Sequence, residues 1–261
     1  MLSFLKSVAL GSVIVLCIAG YAAAQSAPPV AAASDLKFAL DAIASHFKSA
    51  TGRELKLTYG SSGVLAQQIR QSAPFEMFLC ADENIVFQLA DAGMTVDRGA
   101  LYAEGRVVLF TPHGSALKPD AAFVDLKTAL NEGRVQKFAI ANPEHAPYGL
   151  AAEQALKSQG LWDAIRSRLV LGENVSQAAQ FASSGSTQGG IFAYSLALSP
   201  EVAKLGNFVL TPAEWHKPLR QRMVLMKNAG ETAKAFYAYM QTPPARTVLR
   251  KFGFVLPGEA S

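Results

Sequence analysis

The sequence predicts an α/β protein with two lobes, each built on a mostly parallel sheet flanked by helices. Half of the 261 residues are hydrophobic, and short apolar, β-rich runs alternate with longer helical patterns. Continuous apolar strands between amphipathic helices are typical of sheets covered on both faces. The length leaves room for two such units of ordinary domain size. The same composition argues against disorder and against a coiled coil.

The first 25 residues are predicted to be a secretory signal peptide. Lys6 is their only charged residue, a mainly apolar stretch runs from residue 8 to 21, and three alanines ending at Ala24 precede Gln25. This is the charged start, apolar middle and small-residue cleavage site of an export signal. The apolar run is shorter than the roughly 20 residues that a membrane anchor requires. We therefore expect cleavage after Ala24, a periplasmic location and no membrane insertion of the mature chain.

The mature chain has little net charge and one cysteine. Loss of the signal peptide removes one lysine, so the net charge falls from +4 to +3. A charge this small, without a basic stripe interleaved with aromatic residues, excludes nucleic acid as the expected partner. Cys80 lies in the apolar run 77–81 and is expected to be a buried hydrophobic residue rather than a reactive thiol. No internal disulfide is available to the mature chain.

Strands and helices are predicted in alternation along the chain. The predicted strands cover residues 55–59, 75–81, 107–111, 138–141, 170–172, 190–193 and 222–226. The predicted helices cover residues 35–50, 63–71, 83–92, 149–158, 175–182 and 231–241. In the first helix, apolar side chains recur at the three-to-four spacing of one buried face: Leu36, Leu40, Ile43, Ala44 and Phe47.

Four helices begin directly after a strand or apolar run, with Ser, Asn or Pro at the junction. These junctions are residues 33–35, 59–63, 142–149 and 173–176. A helix start presents unpaired N–H groups and the positive end of the helix dipole, so it binds an anion without a charged side chain. In open α/β sheets, ligands lie at the carboxyl ends of the strands. The junctions are therefore candidates for one shared oxyanion site, the alternative being that their serines only cap the helices.

Enzyme motifs are missing from the sequence at these junctions. It contains no G-x-S-x-G nucleophile elbow, no G-x-x-x-x-G-K-[ST] phosphate loop and no G-x-G-x-x-G after the first strand. Its four histidines stand singly, without metal-ligand spacing. A serine hydrolase that uses Ser34 or Ser62 with His145 as the base is the alternative from another class, although the sequence identifies no third orienting group. We favour a turn-shaping role for His145.

Six stretches, taken together and in order, carry a family resemblance. They are AASDL (32–36), GSSG (60–63), APFEMF (73–78), NPEHAPYG (142–149), GENV (172–175) and KFGF (251–254). With these stretches, the mature chain from about residue 30 to 255 resembles the periplasmic molybdate-binding proteins that feed ABC transporters. The resemblance implies a two-lobed type II periplasmic binding protein fold, with the oxyanion enclosed between the lobes. By this analogy the first lobe comprises residues 26–105 and 230–261, and the second comprises residues 106–229.

The resemblance also implies a function and its partners. The chain is expected to capture molybdate, and tungstate with it, for delivery to an ABC permease. It is expected to be a monomer and not an enzyme, with no cofactor and with molybdenum present only as the bound oxyanion. The alternative within the same class is a binder of sulfate or another oxyanion.

The ligand-binding residues follow from the same resemblance. The family's ligand-contacting serines fall on Ser34 and Ser62. Its helix-start amides fall on Tyr148 and Val175. The backbone amide of Asp35 is a further candidate.

Two of the departures from the family pattern concern the ligand site. Some members donate a tyrosine hydroxyl from the strand that ends near Ala193 in this chain. Here that position is alanine, and Tyr194, one residue further on, faces the other way if the strand is regular. Tyr148 is then expected to supply the missing contact. Asp35 follows the serine where other members carry a neutral residue. Because a carboxylate aimed at a dianion would repel it, the Asp35 side chain is expected to point outward while favouring the helix dipole.

Overall fold

The computed structural model describes residues 27–259, and within them two five-stranded sheets form the framework. The first sheet has the strand order β2-β1-β3-β10-β4, and the second has the order β7-β6-β8-β5-β9. The signal peptide predicted for residues 1–25 lies outside the described residues. The strands are β1 (Pro29–Ala33), β2 (Lys56–Gly60), β3 (Met77–Cys80), β4 (Ala100–Gly105), β5 (Val107–Pro112), β6 (Phe138–Ala141), β7 (Leu169–Gly172), β8 (Gly189–Ala193), β9 (Gly206–Leu210) and β10 (Leu219–Leu225).

Helices connect the strands and pack on the sheets. Ser34–Leu36 is a short 3₁₀ turn that leads directly into the first α-helix. Among the described residues, none of the helices combines the length and apolar character that crossing a membrane requires. The α-helices are α1 (Lys37–Thr51), α2 (Ser62–Arg70), α3 (Glu83–Asp91), α4 (Val124–Asn131), α5 (Pro147–Ser158), α6 (Trp162–Ile165), α7 (Val175–Ser183), α8 (Tyr194–Ala197), α9 (Pro200–Ala203), α10 (Glu231–Tyr239) and α11 (Pro243–Lys251).

The predicted α/β class with two lobes is confirmed, and the strand pairing in both sheets is mixed. β1 pairs in parallel with β2 and β3, whereas β10 runs antiparallel to β3 and β4. The second sheet repeats this arrangement, since β6 is parallel to β7 and β8 while β5 is antiparallel to β8 and β9. The expectation of mostly parallel sheets therefore holds for half of the pairings. The antiparallel strands are β5, which enters the second sheet, and β10, which returns to the first.

The return to the first sheet comes earlier than the predicted lobe boundary. The chain leaves the first sheet at Arg106, between β4 and β5, as the boundary at residue 105 requires. It returns with β10, which is hydrogen-bonded between β3 and β4. The assignment of residues 106–229 to the second lobe is corrected at its end, because β10 completes the first sheet. The predicted boundary rests on the family resemblance, and its position depends on a strand pairing that no local pattern reveals.

The core explains why these segments form helices and strands. On one face of the first sheet, α1 buries Leu40, Ile43 and Phe47 as its spacing predicts, while Ala44 is half-buried. The Phe47 ring packs edge-on against Phe236 of α10, with centroids 5.1 Å apart. α2 and α3 cover the other face of this sheet. Burial of apolar faces is the main stabilising contribution to such a layered fold.

Gly105, at the end of β4, lies against a side chain from the opposite lobe. A Cβ atom at this position would overlap the hydroxyl of Tyr148 and would lie 2.8 Å from Nε2 of Gln221. Tyr148 belongs to α5, which packs on the second sheet, whereas Gln221 belongs to β10 of the first. Because glycine has no Cβ, the tyrosine reaches across to the crossover between the lobes.

Replacement of Gly105 with alanine is expected to lower the free energy of unfolding by about 1–3 kcal/mol, because the added methyl overpacks a buried site. Calorimetry would show this as a loss of several degrees in Tm. The double variant G105A/Y148F lacks the overlapping oxygen. Its free energy of unfolding should therefore fall by less than the sum of the decreases in the two single variants. A Tm for Gly105→Ala equal to that of the unchanged protein would contradict the close contact.

Candidate functional site

The four predicted helix starts meet at one small cavity between the two sheets. All five residues predicted to contact a ligand lie in its lining. The cavity is small, with about 180 Å³ of empty space that includes open solvent. The cavity therefore suits a small ligand. Its lining consists of Ala33, Ser34, Asp35, Gly60, Ser61, Ser62, Ala81, Ala146, Pro147, Tyr148 and Val175.

The sheet topology explains why these junctions converge. β1 lies between β2 and β3 and is parallel to both, so the three carboxyl ends meet at one edge of the first sheet. β6 lies between β7 and β8 in the same way, and places the starts of α5 and α7 at the edge of the second sheet. These two edges face each other across the cavity. This is the position that open α/β sheets use for ligands.

Both predicted serine hydroxyls at the cavity accept a hydrogen bond from the backbone. Ser34 Oγ accepts a hydrogen bond from the backbone N–H of Ser176 at 3.3 Å, and Ser62 Oγ accepts one from the N–H of Ala81 at 3.0 Å. Because each oxygen already accepts from the backbone, each keeps its own hydrogen to donate. The N-cap of α2 is Ser61, so Ser62 is not the capping residue. The alternative that both serines only cap their helices does not describe this arrangement.

Two helices from the second lobe bring backbone amides to the same cavity. α5 begins with Pro147, which has no N–H, so Tyr148 carries the first amide of this helix. α7 begins at Val175 after Asn174, whose side chain caps it by accepting from the Gln177 N–H at 3.1 Å. The first amides of a helix have no acceptor within the helix and lie at the positive end of its dipole. They are therefore available to an anion.

The cavity lacks a cationic side chain. Among the described residues that line it, there is no lysine, arginine or histidine, and the one ionisable carboxyl is that of Asp35. An anion at this place would be held by amides, hydroxyls and helix dipoles alone. Elsewhere in residues 27–259, no group of three or more His, Cys, Asp or Glu side chains has the arrangement of a metal site.

The Asp35 side chain points inward, so the expectation that it points outward is wrong. Asp35 is only 1% exposed, and its Oδ2 accepts hydrogen bonds from the Tyr148 hydroxyl at 3.0 Å and from Gln221 Nε2 at 2.7 Å. Burial raises the pKa of this carboxyl to about 6, and the hydrogen bonds from Gln221 and Tyr148 act in the opposite direction. The helix dipole, worth about 0.3–1 kcal/mol at a surface, does not decide the orientation against these two buried partners.

The two candidate tyrosines, Tyr148 and Tyr194, contact other residues of the protein. The Tyr148 hydroxyl donates to Asp35 and accepts from Gln221 at 2.9 Å, so its hydrogen is already engaged, and its contact with a ligand stays a prediction. The Tyr194 ring packs against Phe208, with centroids 6.0 Å apart, and it does not line the cavity. From Tyr148, the backbone amide remains as the candidate contact.

The His145 side chain forms no hydrogen bond with Ser34 or Ser62 among the described residues. Its Nδ1 lies 2.9 Å from Ser61 Oγ, and its carbonyl accepts from the Gly63 N–H at 3.0 Å. Its Nε2 is 3.6 Å from the exposed carboxylate of Glu173, beyond hydrogen-bond distance. His145 thus holds the turn before α5 against the start of α2. The pairing required for a hydrolase built on Ser34 or Ser62 is not assembled.

Three residues of the site were not predicted from the sequence. Ser176 Oγ donates to the Ser34 carbonyl and Ser195 Oγ donates to the Asp35 carbonyl, both at 2.8 Å. Gln221 binds Asp35 from β10, 186 residues away in sequence. Ser176 is the last residue of the predicted junction 173–176 and could have been included among the contacts, but Gln221 and Ser195 carry no local signal.

Cys80 is buried at the end of β3, as predicted. Its thiol donates to the backbone carbonyl of Asp82, with Sγ and O 3.1 Å apart. Burial raises the pKa of this thiol to about 12, which keeps it in the unreactive protonated form.

A two-lobed α/β fold with a small anion-suited cavity between the lobes defines the class of solute-binding proteins. The chain belongs to the bacterial extracellular solute-binding protein family, whose sequence profile matches residues 29–255. It is similar to the molybdate-binding protein ModA of Rhodobacter capsulatus, with 33% identity over 260 residues, 98% of this chain and 99% of that one. ModA of Azotobacter vinelandii is 34% identical over 253 residues, 95% and 96% of the two chains.

Solved structures show the same similarity. The periplasmic molybdate-binding protein of Azotobacter vinelandii superposes with a TM-score of 0.79 at 30% identity, covering 88% of this chain and 99% of that one. The sulfate-binding protein SubI of Mycobacterium tuberculosis shares the fold, with a TM-score of 0.72 at 17% identity. The family membership implies export of the chain.

Proposed function

We propose that this protein is periplasmic, that it captures molybdate, and tungstate as well, between its lobes, and that it delivers the ion to an ABC permease. The observation that carries the proposal is the meeting of four helix starts and two donor hydroxyls at one small cavity without cations. The similarity to molybdate-binding proteins over nearly the whole chain supports the choice of ion.

The proposed contacts match the chemistry of the ion. Molybdate and tungstate are tetrahedral dianions whose oxygens only accept hydrogen bonds at neutral pH. The hydroxyls of Ser34 and Ser62 and the amides of Tyr148, Val175 and Asp35 are all donors. Donors fixed on helix ends form a rigid cage, and charge-assisted hydrogen bonds in it are stronger than neutral ones.

The proposed protein is a monomeric carrier rather than an enzyme, with no cofactor and no nucleic-acid partner. The geometry at His145, which contacts Ser61 and neither candidate nucleophile, supports this choice over a hydrolase. A carrier gains stability with its ion and leaves esters intact. Hydrolysis of a chromogenic ester that is lost in Ser62→Ala would instead favour the hydrolase.

Saturating molybdate is expected to raise the Tm by about 5–10 °C. A ligand at about 100 times its Kd adds roughly 2.7 kcal/mol to the free energy of unfolding, and each kcal/mol is worth about 2–4 °C in a chain of this size. Thermal-shift measurements with molybdate, tungstate, sulfate, phosphate and ferric iron test the proposal. If no oxyanion raises the Tm, the proposed function is wrong.

Ser34→Ala and Ser62→Ala are each expected to weaken molybdate binding by about 1.5–3 kcal/mol, because each removes a donor to a charged oxygen. Isothermal titration calorimetry measures the change. Ser184→Ala is the matched control, since this exposed serine only bonds the Phe181 carbonyl and Ser186 at the end of α7. Equal affinities for all three variants would show that the cavity serines do not contact the ion.

Sulfate is expected to bind at least about a hundredfold more weakly than molybdate, or roughly 2.7 kcal/mol. Its shorter bonds cannot reach donors fixed on several helix ends at once, and rigid elements do not collapse around a smaller ion. Tungstate should bind within about tenfold of molybdate. Competition calorimetry decides the order. Displacement of molybdate by sulfate at comparable concentration would favour the sulfate-binding alternative.

A further inference from the structure

The two oxygens of the Asp35 carboxyl are in different environments. Oδ2 accepts two hydrogen bonds, from the Tyr148 hydroxyl and from Gln221 Nε2. Oδ1 is buried and has no hydrogen-bond partner among the described residues. A buried polar atom without a partner is costly, and in native proteins it calls for an explanation. Here the atom belongs to a residue that lines the proposed oxyanion cavity.

An ionised Asp35 conflicts with the proposed ligand. The serine hydroxyls and helix-start amides at the cavity are donors, which suits an oxyanion that only accepts. A carboxylate offers further acceptors and a charge of the same sign as the ion. Like charges brought together in a poorly solvated site disfavour the charged form of the weaker acid. A proton on the carboxyl removes the repulsion and turns the bare oxygen into a donor.

We propose that Asp35 takes up one proton, on Oδ1, when the cleft closes on the oxyanion, so that capture of a dianion consumes one proton from solvent. This inference rests on the proposed function. Oδ1 is the site because Oδ2 already accepts two hydrogen bonds. No bond of the oxyanion is made or broken. The ion stays a dianion beside a neutral carboxylic acid.

Among the described residues, the side chains that face Asp35 include no cation. The hydrogen bonds from Gln221 and Tyr148 favour the ionised carboxyl, but the effect of burial is larger. The side chains around Asp35 come from four elements and are neutral polar groups. Burial raises the pKa values of Tyr148, Tyr102 and Cys80, which keeps them uncharged. Lys37, two residues further along the chain, forms an exposed pair with Asp41 at 3.4 Å. The facing side chains are Tyr148 on α5, Gln221 on β10, Tyr102 on β4, which is bonded to Gln221, and Cys80 on β3. Two serines bond the backbone here: Ser195 on α8 donates to the Asp35 carbonyl, and Ser176 on α7 donates to the carbonyl of the neighbouring Ser34.

The sign of the pH dependence follows from the direction of this shift. Burial already raises the pKa of Asp35 to about 6, and a neighbouring dianion raises it further. The bound state therefore binds the proton more tightly than the free state. Affinity for molybdate should be highest below about pH 6 and should fall by up to tenfold per unit as the pH rises above it.

The neutral form of Asp35 also bears on selectivity. Hydrogen phosphate and hydrogen arsenate carry a proton that needs an acceptor. A neutral Asp35 that donates from Oδ1 leaves this proton unpaired, whereas an ionised Asp35 would accept it. Asp35 is thus a specificity-determining residue that directs the cavity toward fully deprotonated oxyanions.

Isothermal titration calorimetry at pH 8, in two buffers with different ionisation enthalpies, counts the protons taken up with molybdate. The mature protein is expected to take up most of one proton. Asp35→Asn, which keeps the size of the side chain, is expected to take up almost none and to bind molybdate with an affinity that does not change between pH 6 and 8. Asp41→Asn is the matched control, because Asp41 is an exposed residue of α1 outside the cavity, and it should behave as the unchanged protein.

Each other outcome has a definite meaning. Molybdate binding by the unchanged protein without proton uptake would overturn this inference and leave the proposed function standing, whether or not Asp35→Asn folds. A second result would also overturn the inference: hydrogen phosphate binds the unchanged protein as tightly as molybdate does, and binds Asp35→Asn more weakly. This would show that Asp35 is an ionised acceptor. No heat with any oxyanion would refute the proposed function itself.

Discussion

A small anion can be enclosed between two lobes only if backbone dipoles and hydroxyls replace the water that it loses, and the cavity of this protein has no cation to help. This constraint explains the placement of the helix starts. β1 and β6 each lie between two parallel neighbours, so their carboxyl ends gather several first turns at one edge. The two serines add hydroxyl donors to the set, because each accepts a backbone N–H and has a hydrogen of its own to donate.

The parts of the fold that local pattern predicts are those with strong periodicity. α1 shows its buried face in the spacing of Leu36, Leu40, Ile43 and Phe47, and the central strands read as continuous apolar runs. The strands β1, β4 and β9 were not predicted. β1 is a central strand that begins with Pro29 and has three alanines among its five residues. β4 and β9 are edge strands with partly exposed residues. An edge strand is buried less completely, so its apolar pattern is weaker. α11 was missed because it begins with two prolines and carries few apolar residues.

The features of the site also divide into those that the sequence predicts and those that it does not. The junctions that hold Ser34, Ser62, Tyr148 and Val175 are visible in the sequence, since caps and prolines mark them locally, and the structure brings all four to one cavity. The direction of the Asp35 side chain was not predictable. Its partners come from α5 and from β10, more than a hundred residues away, and a rule based on its own helix cannot weigh them. Long-range polar contacts decide the interior of this site.

Three of the contacts between the lobes fall on one short segment. Ser176 binds the Ser34 carbonyl, Ser195 binds the Asp35 carbonyl, and Tyr148 binds the Asp35 carboxyl. All three partners come from the second lobe, so separation of the lobes breaks these bonds together. An ion held by donors of both lobes has its full set of contacts only while the lobes are closed, and it therefore favours the closed form by that difference. In the proposed function, capture of the ion and closure of the lobes are therefore one equilibrium.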